Sequence, residues 1–178
     1  MPKIKKIVLS ALLLAILIVV ERLVSVQTPI LRISFAYVPI MLSAILLGPA
    51  YSAGIAAVGD IIGALLFPKG AFFPGFTLSA FLTGLTYGLL LYNTKNNKAF
   101  FIRLIISCAL VLIFVHIGLT SLWLVITVKK AFLAFASVRI ISAAVLWPVQ
   151  VGTIFVLKLF LDKPIQQFLI GDTHNDSD

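Results

Sequence analysis

Six apolar runs, parted by short polar or proline-glycine breaks, set the pattern of this chain. They cover Ile4 to Val24, Phe35 to Leu47, Ala50 to Phe67, Gly75 to Tyr92, Phe100 to Thr127 and Ala134 to Leu161. A helix that crosses a bilayer needs about 20 predominantly apolar residues. The second run is short for that, so it either tilts little or draws on the flanking Leu31–Ser34. The pattern predicts an all-α integral membrane bundle of six helices, one domain over residues 1–161. A polar tail over 162–178, expected to be partly disordered, follows it; His174 within it is assigned no role.

The breaks differ in kind. Ser25 to Ser34, SVQTPILRIS, reads as a loop, because Pro29 disfavours helix at Thr28. Gly48-Pro49 breaks the chain sharply. Asn93 to Ala99, NTKNNKA, is the clearest aqueous loop, and Lys129-Lys130 marks another. Pro148 is expected to kink the sixth helix. The break from Phe67 to Gly75 stands apart. Its Pro74-Gly75 pair opens directly into an apolar run, where lipid cannot satisfy free backbone N–H groups. Such a break either lines a cavity, offering a helix N-terminus to a ligand, or is a short connecting turn fitted to the interface.

Small residues recur at four-residue spacing: Ala11 and Ala15, Ala53 and Ala57, Gly59 and Gly63, Gly84 and Gly88. Such faces let two helix backbones approach closely. Asp60 lies mid-span among them. A carboxylate there costs on the order of 3 kcal/mol on insertion scales, so it should face the bundle interior or a cavity. It then accepts hydrogen bonds from a ligand, pairs with a basic side chain, or bonds to a neighbouring helix. His116 is expected to be a hydrogen-bonded interior histidine rather than a metal ligand, since no Cys, Asp or second His is spaced to help it.

Composition agrees with the pattern. Hydrophobic residues make up 61% and charged residues 11% of the 178, with a mean hydropathy of +1.16. A soluble domain carries about 25% charged residues, so this chain could not cover itself in water. The net charge of +8 is scattered between apolar runs, which points to membrane topology and local ligand contacts and away from nucleic acid. The single Cys108 forms no internal disulfide. The lysines before the first run resemble a signal peptide, but Glu21 and Arg22 follow at once and no small-residue cleavage site appears, so the segment is expected to stay. With six spans both termini share one side. Placing them inside gives eight cytoplasmic basic residues (Lys3, Lys5, Lys6, Lys95, Lys98, Arg103, Lys158, Lys163) and six outer ones (Arg22, Arg32, Lys69, Lys129, Lys130, Arg139). The excess favours cytoplasmic termini. The basic outer set suits an anionic ligand, or snorkels to lipid phosphates.

No catalytic set emerges: there is no His-Glu-x-x-His, Gly-x-Ser-x-Gly or P-loop. An intramembrane enzyme would need clustered carboxylates or histidines, and Asp60 with His116 is too little. A small pore would conduct without any partner, which flux into liposomes would reveal. Any ATP-driven uptake would need its ATPase on another chain.

One long run is specific. Gly59-Asp60-xx-Gly63-xxx-Phe67-Pro68-x-Gly70-xxx-Pro74-Gly75-Phe76-Thr77-Leu78-Ser79-Ala80 resembles the folate-specific substrate-binding (S) subunits, the FolT family, of energy-coupling factor (ECF) transporters. Ala11-xxx-Ala15, Gln27-Thr28-Pro29, Leu31-Arg32-Ile33-Ser34-Phe35, Leu122-Trp123-Leu124 and Arg139-Ile140 fit the same family, so the likeness runs from about Ala11 to Gln150. Thr120-Ser121 departs from it, standing where an asparagine-threonine pair is expected. The resemblance implies a non-catalytic subunit of a prokaryotic cell membrane that captures folate at the outer face. Its partners would be a transmembrane coupling protein, EcfT, and two cytoplasmic ATPases, EcfA and EcfA', which bind the ATP; no covalent cofactor is implied. Ala11 and Ala15 would dock on the coupling protein, and the subunit would topple to release the vitamin inward. The implied ligand contacts are Arg32, Ser34, Lys69, Phe72, Phe73, Pro74, Gly75, Phe76, Thr77, Ser121, Trp123 and Arg139, with aromatic rings stacking on the flat pterin and basic groups meeting the glutamate. The same fold would also serve another flat vitamin such as riboflavin; cationic thiamine fits the basic outer side less well.

Overall fold

The structure, a computed structural model, describes residues 2–21, 26–27, 32–33, 35–66, 73–94, 96–128 and 147–158. Helix α1 is Lys3–Val19, α2 is Tyr37–Leu47, α3 is Pro49–Leu66 and α4 is Pro74–Leu91. Helix α5, Asn97–Leu110, passes through a π-helical stretch, Val111–Leu119, into α6, Thr120–Val128, as one rod. A further helix, α7, covers residues 147–158. Each of the six apolar runs therefore carries helix, and the fold is the expected all-α membrane bundle. Among the described residues, Pro49–Leu66, Pro74–Leu91 and Asn97–Trp123 are long and apolar enough to cross a membrane. The 162–178 tail and the upstream side of the kink expected at Pro148 lie outside the described residues.

Three features depart from the sequence pattern. The loop at Ser25–Ser34 contains a small antiparallel hairpin, β1 (Val26–Gln27) and β2 (Arg32–Ile33), with Val26 opposite Ile33 and Gln27 opposite Arg32. Strands of two residues are too short for an alternating pattern to reveal. The aqueous loop at 93–99 is shorter than read: α5 begins at Asn97, with the Asn96 side chain accepting from the Lys98 N–H at 3.0 Å. That is an ordinary N-cap, which satisfies one of the free donors at a helix start. Finally, His116 is exposed and not interior. In the π stretch Val111 and Val115 take the core-facing positions, which leaves His116 on the outside. No cluster of His, Cys, Asp or Glu able to hold a metal exists among the described residues.

Lipid gives helices no hydrophobic reason to associate, so close packing must hold the bundle. The Gly84–Gly88 face supplies it. A Cβ added at Gly84 would overlap the Ser52 carbonyl oxygen, 2.7 Å from its carbon and 2.9 Å from the Ala53 Cα. One added at Gly88 would run into Pro49. The backbones of α3 and α4 thus touch directly at both positions. At Gly59 it is a side chain that fills the space: a Cβ there would lie 2.6 Å from Cδ2 of Leu17 on α1. Between α2 and α3 there is no loop: Gly48 alone turns the chain, at φ +91°, a left-handed conformation that favours glycine.

Two apolar clusters follow. Leu13 and Leu17 of α1 pack with Leu47 and Ile55 of α2 and α3. The larger cluster joins Tyr37 and Met41 of α2, Tyr87 of α4, Phe100 and Leu104 of α5 and Ile154 of α7. At one end of the bundle, buried Lys158 ties α7 to the α4–α5 turn. Its Nζ donates to the Thr94 carbonyl at 3.4 Å and to Asn97 Oδ1 at 3.2 Å, and lies 4.0 Å from the Phe100 ring centre.

Candidate functional site

The Pro74-Gly75 break becomes the start of α4. Proline sits at the first helical turn, where its missing N–H is no loss, and Phe73 before it is extended at φ −129° and ψ 120°. That extended residue turns the Phe73 ring back over the helix start. Gly75 is what lets other rings come down on it. A Cβ at this position would clash with Phe73 and would lie 2.6 Å from Trp123 Cδ2. The indole of α6 therefore rests on bare backbone.

An aromatic cluster forms around this contact. Phe73 and Trp123 have ring centres 5.5 Å apart at 49°, and Phe73 and Phe76 are 6.0 Å apart, edge to face at 76°. Both separations fall within the favoured range for aromatic pairs. The indole Nε1–H donates to Ser79 Oγ at 3.1 Å. Gly75 and Ser79 are four residues apart and share a helix face, so one face of α4 receives the whole tryptophan. Ser79 was not among the expected contacts. Its signal in the sequence was a hydroxyl one turn below Gly75, but its partner is 44 residues away.

Thr77 has a different role. Two residues on from Gly75, it lies about 200° round the helix. There its Oγ1 donates to Asp60 Oδ2 at 2.8 Å. Of the three uses open to Asp60, the structure shows the bond to a neighbouring helix. A hydrogen bond to a charged group contributes about 1.5–3 kcal/mol, comparable with the cost of placing the carboxylate mid-span. Phe73, Gly75 and Trp123, with Phe76 beside them, are thus brought together with Ser79, while Thr77 turns to α3. Pro74 is exposed at the helix start.

Ser121 is fully buried, and its Oγ has no hydrogen-bond partner in the described structure. Arg32 is placed by its backbone in β2, opposite Gln27. Ser34, Lys69, Phe72 and Arg139 lie outside the described residues. On α1, Leu13 and Leu17 are buried and Ala11 and Ala15 are exposed. The alanines sit two residues from the buried leucines, on the opposite face by about 160–200°. They face away from the bundle.

The assembled site is an aromatic platform on a helix start, flanked by hydroxyls. Flat rings stack on such a surface, and hydroxyl and backbone groups orient them.

Comparisons with known proteins place the chain. A family model described as "ECF-type riboflavin transporter, S component" matches residues 1–167. A "Folate transporter FolT" of Clostridium novyi (strain NT) is 33% identical over 163 residues, 92% of this chain and 93% of that one. Another "Folate transporter FolT", of Leuconostoc mesenteroides, is 40% identical over 158 residues, 86% of this chain and 84% of that one. Among solved structures, "Crystal structure of FolT bound with folic acid" matches with a TM-score of 0.76 and 37% identity, covering 85% of this chain and 89% of that one. The family model is named for riboflavin and the individual relatives for folate. Identity over most of the chain to single proteins is the narrower likeness, and it carries more weight for substrate.

Proposed function

This chain belongs to the FolT family of S components of ECF transporters, and from that we propose that it captures folate at the outer face of the cell membrane for ATP-driven import. The pterin stacks on the platform formed by Phe73, Phe76 and Trp123 above Gly75. The glutamate points toward Arg32, with Lys69 and Arg139 as further basic groups. Import proceeds through a coupling protein, EcfT, and two ATPases, EcfA and EcfA', which supply the ATP hydrolysis that this chain has no motif for.

The observation that carries the reading is the Trp123 indole seated on Gly75 and held by Ser79. It is a preformed flat surface at the α4 start, in a chain whose named relatives are folate transporters. Riboflavin is the second reading, favoured by the description of the matching family model. Calorimetric titration of purified protein with folate, riboflavin and thiamine decides between them. Folate is expected to bind tightest, and binding of riboflavin alone would overturn the assignment.

Arginine suits the glutamate because its planar fork forms two parallel bonds with a carboxylate. Hydrogen bonds to charged groups contribute about 1.5–3 kcal/mol, so Arg32→Ala should weaken folate about 10- to 150-fold. Pteroate, which lacks the glutamate, should be affected far less. Equal losses for the two ligands would place Arg32 at the ring or in the scaffold.

Both termini are proposed to be cytoplasmic, on the eight-to-six division of basic residues. A cysteine introduced at Asn96 should react with an impermeant reagent only in permeabilised cells, and one at Lys129 in intact cells. The reverse pattern would invert the topology.

A further inference from the structure

The aromatic platform sits at the start of α4; the far end of that helix leads into α5. There a groove of about 390 Å³ lies open, lined by Asn97, Lys98, Phe101 and Ile102 of α5 and Phe155 of α7. Its two helices are joined by a pair of rings: Phe101 and Phe155 meet edge to face, 5.1 Å between centres at 70°. Nearer the start of α5, Lys158 ties the same helices together through its 3.2 Å bond to Asn97 Oδ1. Residues four apart lie one above the other on a helix, so Phe101 follows Asn97 and Ile102 follows Lys98 along the groove. The groove is therefore polar at its mouth, beside the Asn96 cap, and apolar about 6 Å further on.

The charge at the mouth is unbalanced. The Asn97 side chain is engaged by Lys158. The Lys98 side chain is exposed, and among the described residues only its backbone N–H is bonded, to Asn96. Two carboxylates occur among the described residues, and neither is at hand: Asp60 is bonded to Thr77 at the other end of α4, and Glu21 lies past the end of α1. The surroundings follow from the helix. Asn97–Trp123 is long and apolar enough to cross a membrane, so its start stands at headgroup depth and the walls beyond it face acyl chains. An occupant must then be apolar along Phe101, Ile102 and Phe155 and anionic where it meets Lys98. The geometry points to a seat for one anionic phospholipid, with an acyl chain in the groove and its phosphate on the Lys98 ammonium. A zwitterionic lipid offers the same chain and phosphate but brings its own cation, so it gains less from the lysine. The seat is separate from the vitamin site and does not depend on which vitamin is bound.

Native mass spectrometry of the purified protein, titrated in detergent with phosphatidylglycerol or phosphatidylcholine, tests this. One phosphatidylglycerol should be retained, about fivefold more tightly than phosphatidylcholine, as one basic residue at a membrane surface implies. Lys98→Gln should abolish that preference. Lys3→Gln removes the same charge from the exposed start of α1 and should leave the preference intact. Ile102 is 57% exposed, so Ile102→Trp narrows the groove without entering the core and should lower retention of both lipids. Equal retention of the two lipids by the wild-type protein would overturn the inference. So would equal effects of Lys3→Gln and Lys98→Gln, which would show a diffuse attraction to basic residues, or undiminished retention by Ile102→Trp. A lower lipid-free melting temperature in Lys98→Gln would make the lysine a scaffold group and overturn it too.

Discussion

Gly84→Leu should leave little folded protein to purify. The position faces backbone, not a side chain that can swing away: a Cβ there would overlap the Ser52 carbonyl oxygen and lie 2.9 Å from the Ala53 Cα. To make room, α3 must move off α4 along the contact that both helices use to pack. Overpacking an ordered interior typically costs about 1–3 kcal/mol, and more where backbone must shift. Within lipid no hydrophobic gain offsets the separation, because the exposed helix faces simply meet acyl chains. The opposite face of α4 carries Gly75 and Ser79 toward Trp123, so ligand binding should go with the fold. Gly54 supplies the control. It lies on the same helix as Ser52, and nothing stands within 4 Å of a Cβ added to it. Gly54→Leu should therefore give a monodisperse peak on size-exclusion chromatography in mild detergent, while Gly84→Leu gives aggregate or no yield. Equal behaviour of the two would mean that the α3–α4 contact does not govern folding.

Ala15→Trp should have the opposite profile: normal folate binding by the isolated subunit and no transport by the assembled complex. Ala15 is exposed on the face of α1 opposite Leu13 and Leu17, which pack into the bundle. A bulky ring there meets no part of the described chain. It would, however, hold off any helix that approaches the small Ala11–Ala15 surface, since such packing depends on backbone proximity. The measurements are calorimetric affinity of the purified variant and folate uptake by proteoliposomes containing the whole transporter. Preserved uptake would remove this face from the docking surface. Loss of affinity in the isolated subunit would mean that the substitution disturbs the bundle itself.

The helices were legible because lipid leaves the chain few choices. A backbone that cannot bond to water must bond to itself, so each apolar run becomes helix. The small-residue spacing was legible for the same reason, and Gly84 and Gly88 do meet α3. What escaped depends on register and on distant partners. His116 was read as interior because polar groups in spans usually are. The π stretch, which no residue pattern announces, gives the core-facing places to Val111 and Val115 instead. Asp60 was read as interior with its partner left open. Its partner, Thr77, sits 17 residues on, on the next helix. At the site, Phe73, Gly75, Phe76 and Trp123 stood out as aromatics and a glycine near a helix start. Ser79 did not, because its purpose appears only once α6 lies beside α4.

The single-residue turn at Gly48 has one more consequence. Helices α2 and α3 leave it side by side, but α2 has 11 residues and α3 has 18. At about 1.5 Å per residue, α2 ends some 10 Å below its neighbour. In a hydrocarbon layer about 30 Å thick, a rod of roughly 16 Å cannot reach across. Helix α2 therefore stops short within the layer, at Tyr37, and the chain before it is not helical at Phe35 and includes the β1–β2 pairing. Non-helical chain survives at such depth only where protein or water satisfies its backbone, and the paired strands begin to do so.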